Sequence, residues 1–494
     1  MHPRRSSGAK VGRRWMRALL WLLVPVLALT ASLAVLSTTE RGREATARWR
    51  ERAERLVTGS TPGGSTPTTT ASPSTSPSEL PSPATPSGAP ATAALTADSA
   101  RIRAVLTKRL GMKVLGPHVV AAVAPLDGGD AAFSMGTNPV TPASTMKLLT
   151  ATAALEVLGP DHVFTTAVVT DAPGRITLVG GGDPYLASKP APAGTYPVRA
   201  DLRTLAGKAA DALRAAGTTR VRLDYDAGLF VGPALNPNWP SSYVPENVVS
   251  PTSALWVDEG HQPDGFGRVA DPALTAATTF AGALRKQGIV VRGVPRSRPA
   301  PASATALAEV SSAPLAEIAA HVLEVSDNDA AEVLARHVGI GAGQPGSIDG
   351  ARTGIALTLS KLGVPLEGTE LYDGSGLSRD DRLTSATLLG VLQTAASPDQ
   401  PHLRAVISGL PVAGFTGSLQ WRFVDAPPKS RGLIRAKTGT LTGVHGLAGV
   451  ATDRNGTDFA FVLIADQVAE DQALAARAAL DRAAAALGAC VCSR

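Results

Sequence analysis

Residues 58–97 of this 494-residue chain are almost wholly Ser, Thr, Pro, Gly and Ala, with Glu79 the only charge and no aromatic side chain. Such a stretch buries too little apolar surface to offset the entropy of ordering it, so it reads as a disordered linker. It divides the chain. Whatever folds cooperatively lies beyond it, and whatever precedes it is joined by a flexible tether.

Ahead of the linker, "ALLWLLVPVLALTASLAVL" (residues 18–36) is interrupted only by Pro25, Thr30 and Ser32. At about 1.5 Å per helical residue it nearly spans a hydrocarbon core of roughly 30 Å. The preceding residues carry Arg4, Arg5, Lys10, Arg13, Arg14 and Arg17 and no acid, a flank that keeps an N-terminus in the cytoplasm. The expected order is a basic cytoplasmic segment (1–17), a transmembrane signal-anchor (18–38), a charged juxtamembrane helix (39–57) and the linker (58–97). This places a single-pass protein in the cell membrane with an extracytoplasmic body. The alternative is secretion after signal cleavage, for which Ser32-Leu33-Ala34 is a poor site. Those six cations equal the chain's whole formal charge of +6, so the remainder is formally neutral and a nucleic-acid surface is excluded.

From residue 98 the texture becomes globular. "HVVAAVAPLDGGDAAFSM" predicts a hairpin turning at Asp127-Gly128-Gly129-Asp130, followed by a helix. Near the other end "RGLIRAKTG", "VHGLAGVAT" and "TDFAFVLIAD" read as three strands, the last two joined at Asn455-Gly456, and an Ala-rich helix closes the chain. Strands at both ends with helices between them imply an α+β fold: one antiparallel sheet built from both termini, with helices packed on it. Residues 166–305 read as an inserted α+β domain, splitting the catalytic domain into 98–165 and 306–494. Within the insertion, "GGGDP" lacks the following Lys-Ser or Lys-Thr of a phosphate loop and reads as a tight turn.

Three short motifs carry chemistry. "PASTMKLLTA" places Ser144 and Lys147 one helical turn apart, "VSDNDAAEV" places Ser326 and Asn328 at a helix start, and "RAKTGTLTG" places Lys437-Thr438-Gly439-Thr440 on a strand. Each alone is commonplace, but their order is that of the active-serine set of penicillin-binding proteins and serine β-lactamases. Ser144 needs a base, and Lys147 becomes one where burial, a helix N-terminus and the second cation Lys437 disfavour its charge. Ser326 would relay a proton to the leaving amine, and Asn328 would hold Lys147 and the substrate backbone. Lys437 and Thr438 suit a terminal carboxylate, Gly439 leaves room for substrate along the strand, and the N–H groups of Ser144 and Thr440 form the oxyanion hole. No H-E-x-x-H or His–Cys cluster occurs, so no metal or other cofactor is expected. Cys490 and Cys492, at a terminus expected to be exposed, could form a strained disulfide or stay free thiols.

These stretches, with "YDGSGLSRDDRLT", "GGGDP" and "VVSPTSALWVD", resemble the class C low-molecular-mass penicillin-binding proteins, the D-Ala-D-Ala carboxypeptidase/endopeptidase family called peptidase S13. The resemblance implies a penicillin-binding transpeptidase-like or serine β-lactamase-like fold. It also implies acyl-enzyme hydrolysis of peptidoglycan stem peptides ending in D-Ala-D-Ala, and inhibition by β-lactams. Arg379, matching the last position of the family's G-S-G-L-S-R motif, is implied to help hold the side chain of the peptide's dibasic residue. The interval from Ser144 to Ser326 is short for members with two nested insertions, so one inserted domain is expected. The alternatives are a β-lactamase-like hydrolase using the same site, for which no Glu-x-x-x-Asn segment occurs between Ser326 and Lys437, and a catalytically silent wall-binding or scaffold protein.

Overall fold

A computed structural model describes residues 96–494 apart from Asp264. The segments expected over 1–17, 18–38 and 39–57, and almost all of 58–97, lie outside the described residues. Among the described residues no helix is long and apolar enough to cross a membrane.

Helix α1 (Ser99–Leu110) starts at Asp98, whose carboxylate accepts from the N–H groups of Ala100 and Arg101. The expected hairpin follows as β1 (Val119–Pro125) and β2 (Phe133–Met135). A 3₁₀ turn (Ala143–Met146) then leads into α2 (Lys147–Leu158), whose first nine residues are all buried. The inserted part comprises β3 (Thr165–Ala172), β4 (Arg175–Val179), α3 (Leu202–Ala215), β5 (Arg220–Asp226), α4 (Pro272–Lys286), β6 (Val290–Ser297) and β7 (Thr305–Ser311). The chain returns through α5 (Leu315–Val325), α6 (Asn328–Gly341), α7 (Ile348–Lys361) and α8 (Ser385–Ala396). It finishes with β8 (Ile434–Leu441), β9 (Val444–Thr452), β10 (Asp458–Ala465) and α9 (Ala473–Ala489).

The first sheet has the order β2-β1-β10-β9-β8, antiparallel throughout, so N- and C-terminal strands do share one sheet. Its central strands are apolar on both sides because each side is covered. Ala460, Val462 and Ile464 of β10 pack with α2, α5, α6 and α8, while Phe459, Phe461 and Leu463 pack with α1 and α9. The strand β8 is left at an edge, beside the 3₁₀ turn that carries Ser144.

The second sheet has the order β6-β5-β4-β3-β7, with parallel pairs β4–β5 and β5–β6 made possible by the crossover helices α3 and α4. These helices bury one face of the sheet in a core of its own. The inserted domain was expected to stop at 305, but β7 pairs with β3 from Thr305↔Thr170 to Ser311↔Thr165, so it runs on to Ser311. The terminus is likewise not a loose end. Thr96 and Arg494 exchange backbone hydrogen bonds, Asp453 accepts from the N–H groups of Cys492 and Ser493, and Cys492, bonded to Cys490 as a disulfide, is fully buried.

Candidate active site

Ser144 lies in the 3₁₀ turn rather than in the α-helix proper, and Lys147 is the first residue of α2. The spacing still brings them together: Lys147 Nζ is 3.0 Å from Ser144 Oγ. Lys147 also donates to Asn328 Oδ1 at 2.8 Å and to the Ser375 carbonyl at 2.7 Å. Ser326 and Asn328 sit at a corner between two helices. Ser326 ends α5 in the left-handed region (φ 65°), Asp327 caps α6 by accepting from Ala330 N–H, and Asn328 is the first residue of α6. Lys437 on β8 donates to Ser326 Oγ at 2.7 Å and to the Thr438 carbonyl at 3.1 Å.

Ser144, Ser326, Asn328, Thr438, Thr440 and Arg379 line one cleft of about 540 Å³, and Lys147 and Lys437 lie fully buried beneath it. Arg379 is tied to the rim by a hydrogen bond to the Thr442 carbonyl. Thr438 Oγ1 is 3.0 Å from Ser418 Oγ. Ala436 N–H donates to Pro411, outside the sheet, so by strand alternation the N–H groups of Thr438 and Thr440 also point off the free edge of β8. That orientation is the one an oxyanion donor needs.

Gly439 also serves the packing of the site. A Cβ there would lie 2.7 Å from the Pro142 carbonyl oxygen and 3.3 Å from a Thr145 methyl, so the missing side chain lets the Ser144 turn pack on the strand. Substrate has no part in that contact.

Burial lowers the pKa of Lys147 from 10.5 to about 8, and the charges of Asp373, Asp327, Glu332 and Asp329 oppose the drop. Lys437 is pushed well below its ordinary value by burial, then by the Lys147 charge and by Arg422. The expected lysine tuning is therefore led by desolvation. The acids were not read from the sequence. Glu332 accepts from the N–H groups of Gly374 and Ser375, and Asp373 from those of Ser375, Gly376 and Ser378, so they shape the loop that offers its Ser375 carbonyl to Lys147. Tyr243 and Glu246, from the inserted domain, line the same cleft and were also missed. Glu259, His261 and Asp329 come close enough for a metal-ligand set that sequence spacing did not show, but Glu259 is paired with Arg199 and Asp329 with Arg268.

The fold is shared with a solved penicillin-binding protein. Penicillin-binding protein 4 of Haemophilus influenzae superposes with a TM-score of 0.63 at 21% identity, over 77% of this chain and 98% of that one. The chain belongs to the D-Ala-D-Ala carboxypeptidase 3 (S13) family, whose profile matches residues 106–264 and 261–487. It is 36% identical over 363 residues to a carboxypeptidase of Mycobacterium tuberculosis, covering 72% of this chain and 76% of the relative. It is 37% identical over 362 residues to the carboxypeptidase DacB of Mycolicibacterium smegmatis, with the same coverage. A D-alanyl-D-alanine carboxypeptidase of Actinomadura matches at 31% identity over 67% of this chain and 74% of its own length.

Proposed function

We propose that this chain is a serine-type D-Ala-D-Ala carboxypeptidase that trims peptidoglycan stem peptides through an acyl-enzyme on Ser144, and that β-lactams acylate the same serine. Membership of the S13 family supports the reaction class. The observation that carries the residue roles is the set of partners around Lys147 Nζ. Two of them, Asn328 Oδ1 and the Ser375 carbonyl, can only accept, while the third, Ser144 Oγ, can also donate. A neutral amine gives its two hydrogens to the pure acceptors and turns its lone pair to the Ser144 hydroxyl.

Ser144 Oγ attacks the carbonyl carbon of the penultimate D-Ala as Lys147 takes the hydroxyl proton, and the oxyanion is met by the N–H groups of Ser144 and Thr440. The C–N bond then breaks, and the departing amine receives a proton through Ser326, resupplied from the lysines. Water attacks the ester, Lys147 takes its proton, and the shortened peptide leaves as Ser144 Oγ is reprotonated. Lys437 and Thr438 hold the terminal carboxylate. Arg379 faces the cleft shared with Glu246, where it can hold the carboxylate on the side chain of a diamino acid. The apolar run at 18–36 and the linker support a body tethered outside the cell membrane.

The test is covalent labelling of the full-length chain by a fluorescent penicillin, beside Ser144→Ala, with intact mass and with D-Ala release from a D-Ala-D-Ala stem peptide. An adduct on Ser144 together with D-Ala release is expected. Penicillin turnover without D-Ala release would make the chain a β-lactamase, and a folded chain giving no adduct, no turnover and no D-Ala would make it a scaffold.

A further inference from the structure

The turn that carries Ser326 and Asn328 is held from outside the catalytic domain. Three consecutive side chains reach into the inserted domain: Asp327 Oδ2 accepts from the Tyr185 hydroxyl at 3.0 Å, Asn328 Nδ2 donates to the Val248 carbonyl at 3.0 Å, and Asp329 accepts from Ser250 N–H at 2.7 Å while pairing with Arg268 at 2.8 Å. Of these, the Tyr185–Asp327 contact bears most directly on Ser326. Ser326 holds a left-handed conformation that a side chain with a Cβ does not favour, at a cost of roughly 1–2 kcal/mol. Such a conformation persists only where its neighbours fix it. Asp327 is the adjoining neighbour, and both its carboxylate oxygens are engaged, one by Ala330 N–H and the other by Tyr185.

Tyr185 is itself placed by the "GGGDPY" loop, which the catalytic reading left without a role. A Cβ on Gly181 would lie 1.9 Å from the Thr165 carbonyl oxygen, and one on Gly182 would lie 2.3 Å from His337 Nε2, so only glycine admits this close approach. Gly182 N–H donates to the Ala254 carbonyl, and its own carbonyl accepts from His337 Nε2 at 3.0 Å. Asp183 accepts from Tyr185 N–H, and Trp256 Nε1 donates to the Asp183 carbonyl. The Tyr185 ring is buried, with the Arg199 guanidinium 5.0 Å over its face and His321 edge-on. Its hydroxyl is therefore presented to Asp327 by a loop that has little freedom to move.

We propose that Tyr185 is a positioning residue: through its hydrogen bond to Asp327, the inserted domain sets the orientation of Ser326 and Asn328 for acyl transfer. The proposal rests on the carboxypeptidase reading of the site. It assigns the insertion a part in the rate of the reaction, beyond walling the cleft.

The test is Tyr185→Phe in the full-length chain, which keeps the ring and its Arg199 and His321 contacts and removes only the hydroxyl. Acylation by penicillin is followed over a range of concentrations, giving a maximal rate and a half-saturating concentration. Asp327→Ser is compared with it because serine still caps α6 but cannot reach Tyr185. All four members of the cycle are measured on the alkaline plateau, where loss of the Asp327 charge no longer alters the protonation of Lys147. Tyr185→Phe is expected to lower the maximal rate about tenfold, the loss of one hydrogen bond expressed in the transition state. The half-saturating concentration should stay within about twofold and the melting temperature within a few degrees. Adding Tyr185→Phe to Asp327→Ser should cost less than about twofold more. A Tyr185→Phe rate equal to that of the unaltered chain, or the same tenfold loss in the Asp327→Ser background, would overturn the proposal. Failure of the unaltered chain to acylate would instead count against the carboxypeptidase reading.

Discussion

A base whose pKa lies near 8 makes acylation of Ser144 strongly dependent on pH across the neutral range. With Lys147 at about 8, about one molecule in eleven carries the neutral amine at pH 7 and about ten in eleven at pH 9. The acylation rate constant should therefore rise about tenfold between these values and then level off. An ordinary lysine at 10.5 would be neutral about three times in ten thousand at pH 7, and its rate would still be climbing at pH 10. Burial opposes protonation of the folded chain, so between about 8 and 10.5 the unfolded chain binds more protons and stability gains from rising pH. The assay is stopped-flow acylation by a fluorescent penicillin from pH 6 to 10. Glu332→Gln is run beside it because that side chain accepts from Gly374 and Ser375 and its charge raises the Lys147 pKa. The midpoint should fall near 8 in the unaltered chain and lower in Glu332→Gln. A rate that is flat from pH 6 to 9, or a midpoint that rises in the variant, would refute the assignment of Lys147 as the base.

Ser326→Ala should lower acylation by about two orders of magnitude while leaving penicillin binding before acylation intact, measured by separating the two steps in the same stopped-flow series. Arg379→Ala should raise KM for stem peptides whose diamino acid carries a free carboxylate and leave penicillin acylation within about threefold, checked by D-Ala release from matched peptides. Gly376→Ala places a Cβ 1.9 Å from the Ala143 carbonyl oxygen at a φ of 79°, so it should cost about 2 kcal/mol or more and slow acylation, seen in thermal melts and labelling together. Asp481→Ala strands the Arg422 guanidinium in a buried pair and should cost about 3–5 kcal/mol in a urea titration.

Local chemistry was legible in the sequence wherever spacing alone determined it. Ser144 and Lys147 meet because three residues make one turn, and the hairpin at Asn455-Gly456 forms because that pair suits a tight turn. What the sequence hid were contacts made across long separations. Nothing local announces that Ser375, 228 positions from Lys147, would offer it a carbonyl, or that Glu332 and Asp373 would hold that loop in place. The end of the insertion was misplaced because β7 looks like any exposed strand until its pairing with β3 is known. The packing role of Gly439 was hidden for a related reason. A glycine beside a catalytic residue suggests room for substrate, and nothing local shows that it also lets the chain's own Ser144 turn pack on the strand.

The charge arrangement explains how two fully buried lysines coexist in one site. Each is bonded only to neutral groups: Lys147 to a hydroxyl, an amide and a carbonyl, Lys437 to a hydroxyl and a carbonyl. A carboxylate in direct contact would lock Lys147 as an ammonium and remove its use as a base. With no negative charge nearby, burial would push its pKa lower still and weaken its hold on the proton it takes from Ser144. Asp373 and Glu332 stand one step back, engaged with the backbone of the loop that carries the Ser375 carbonyl, and offset the desolvation only in part. The Lys147 pKa thereby settles near 8, where the same amine can both accept and return a proton. The carboxylates that shape the loop are thus, with Asp327 and Asp329, among the groups that keep the base within its working range, so a change in Asp373 or Glu332 should move the pH profile and the loop together.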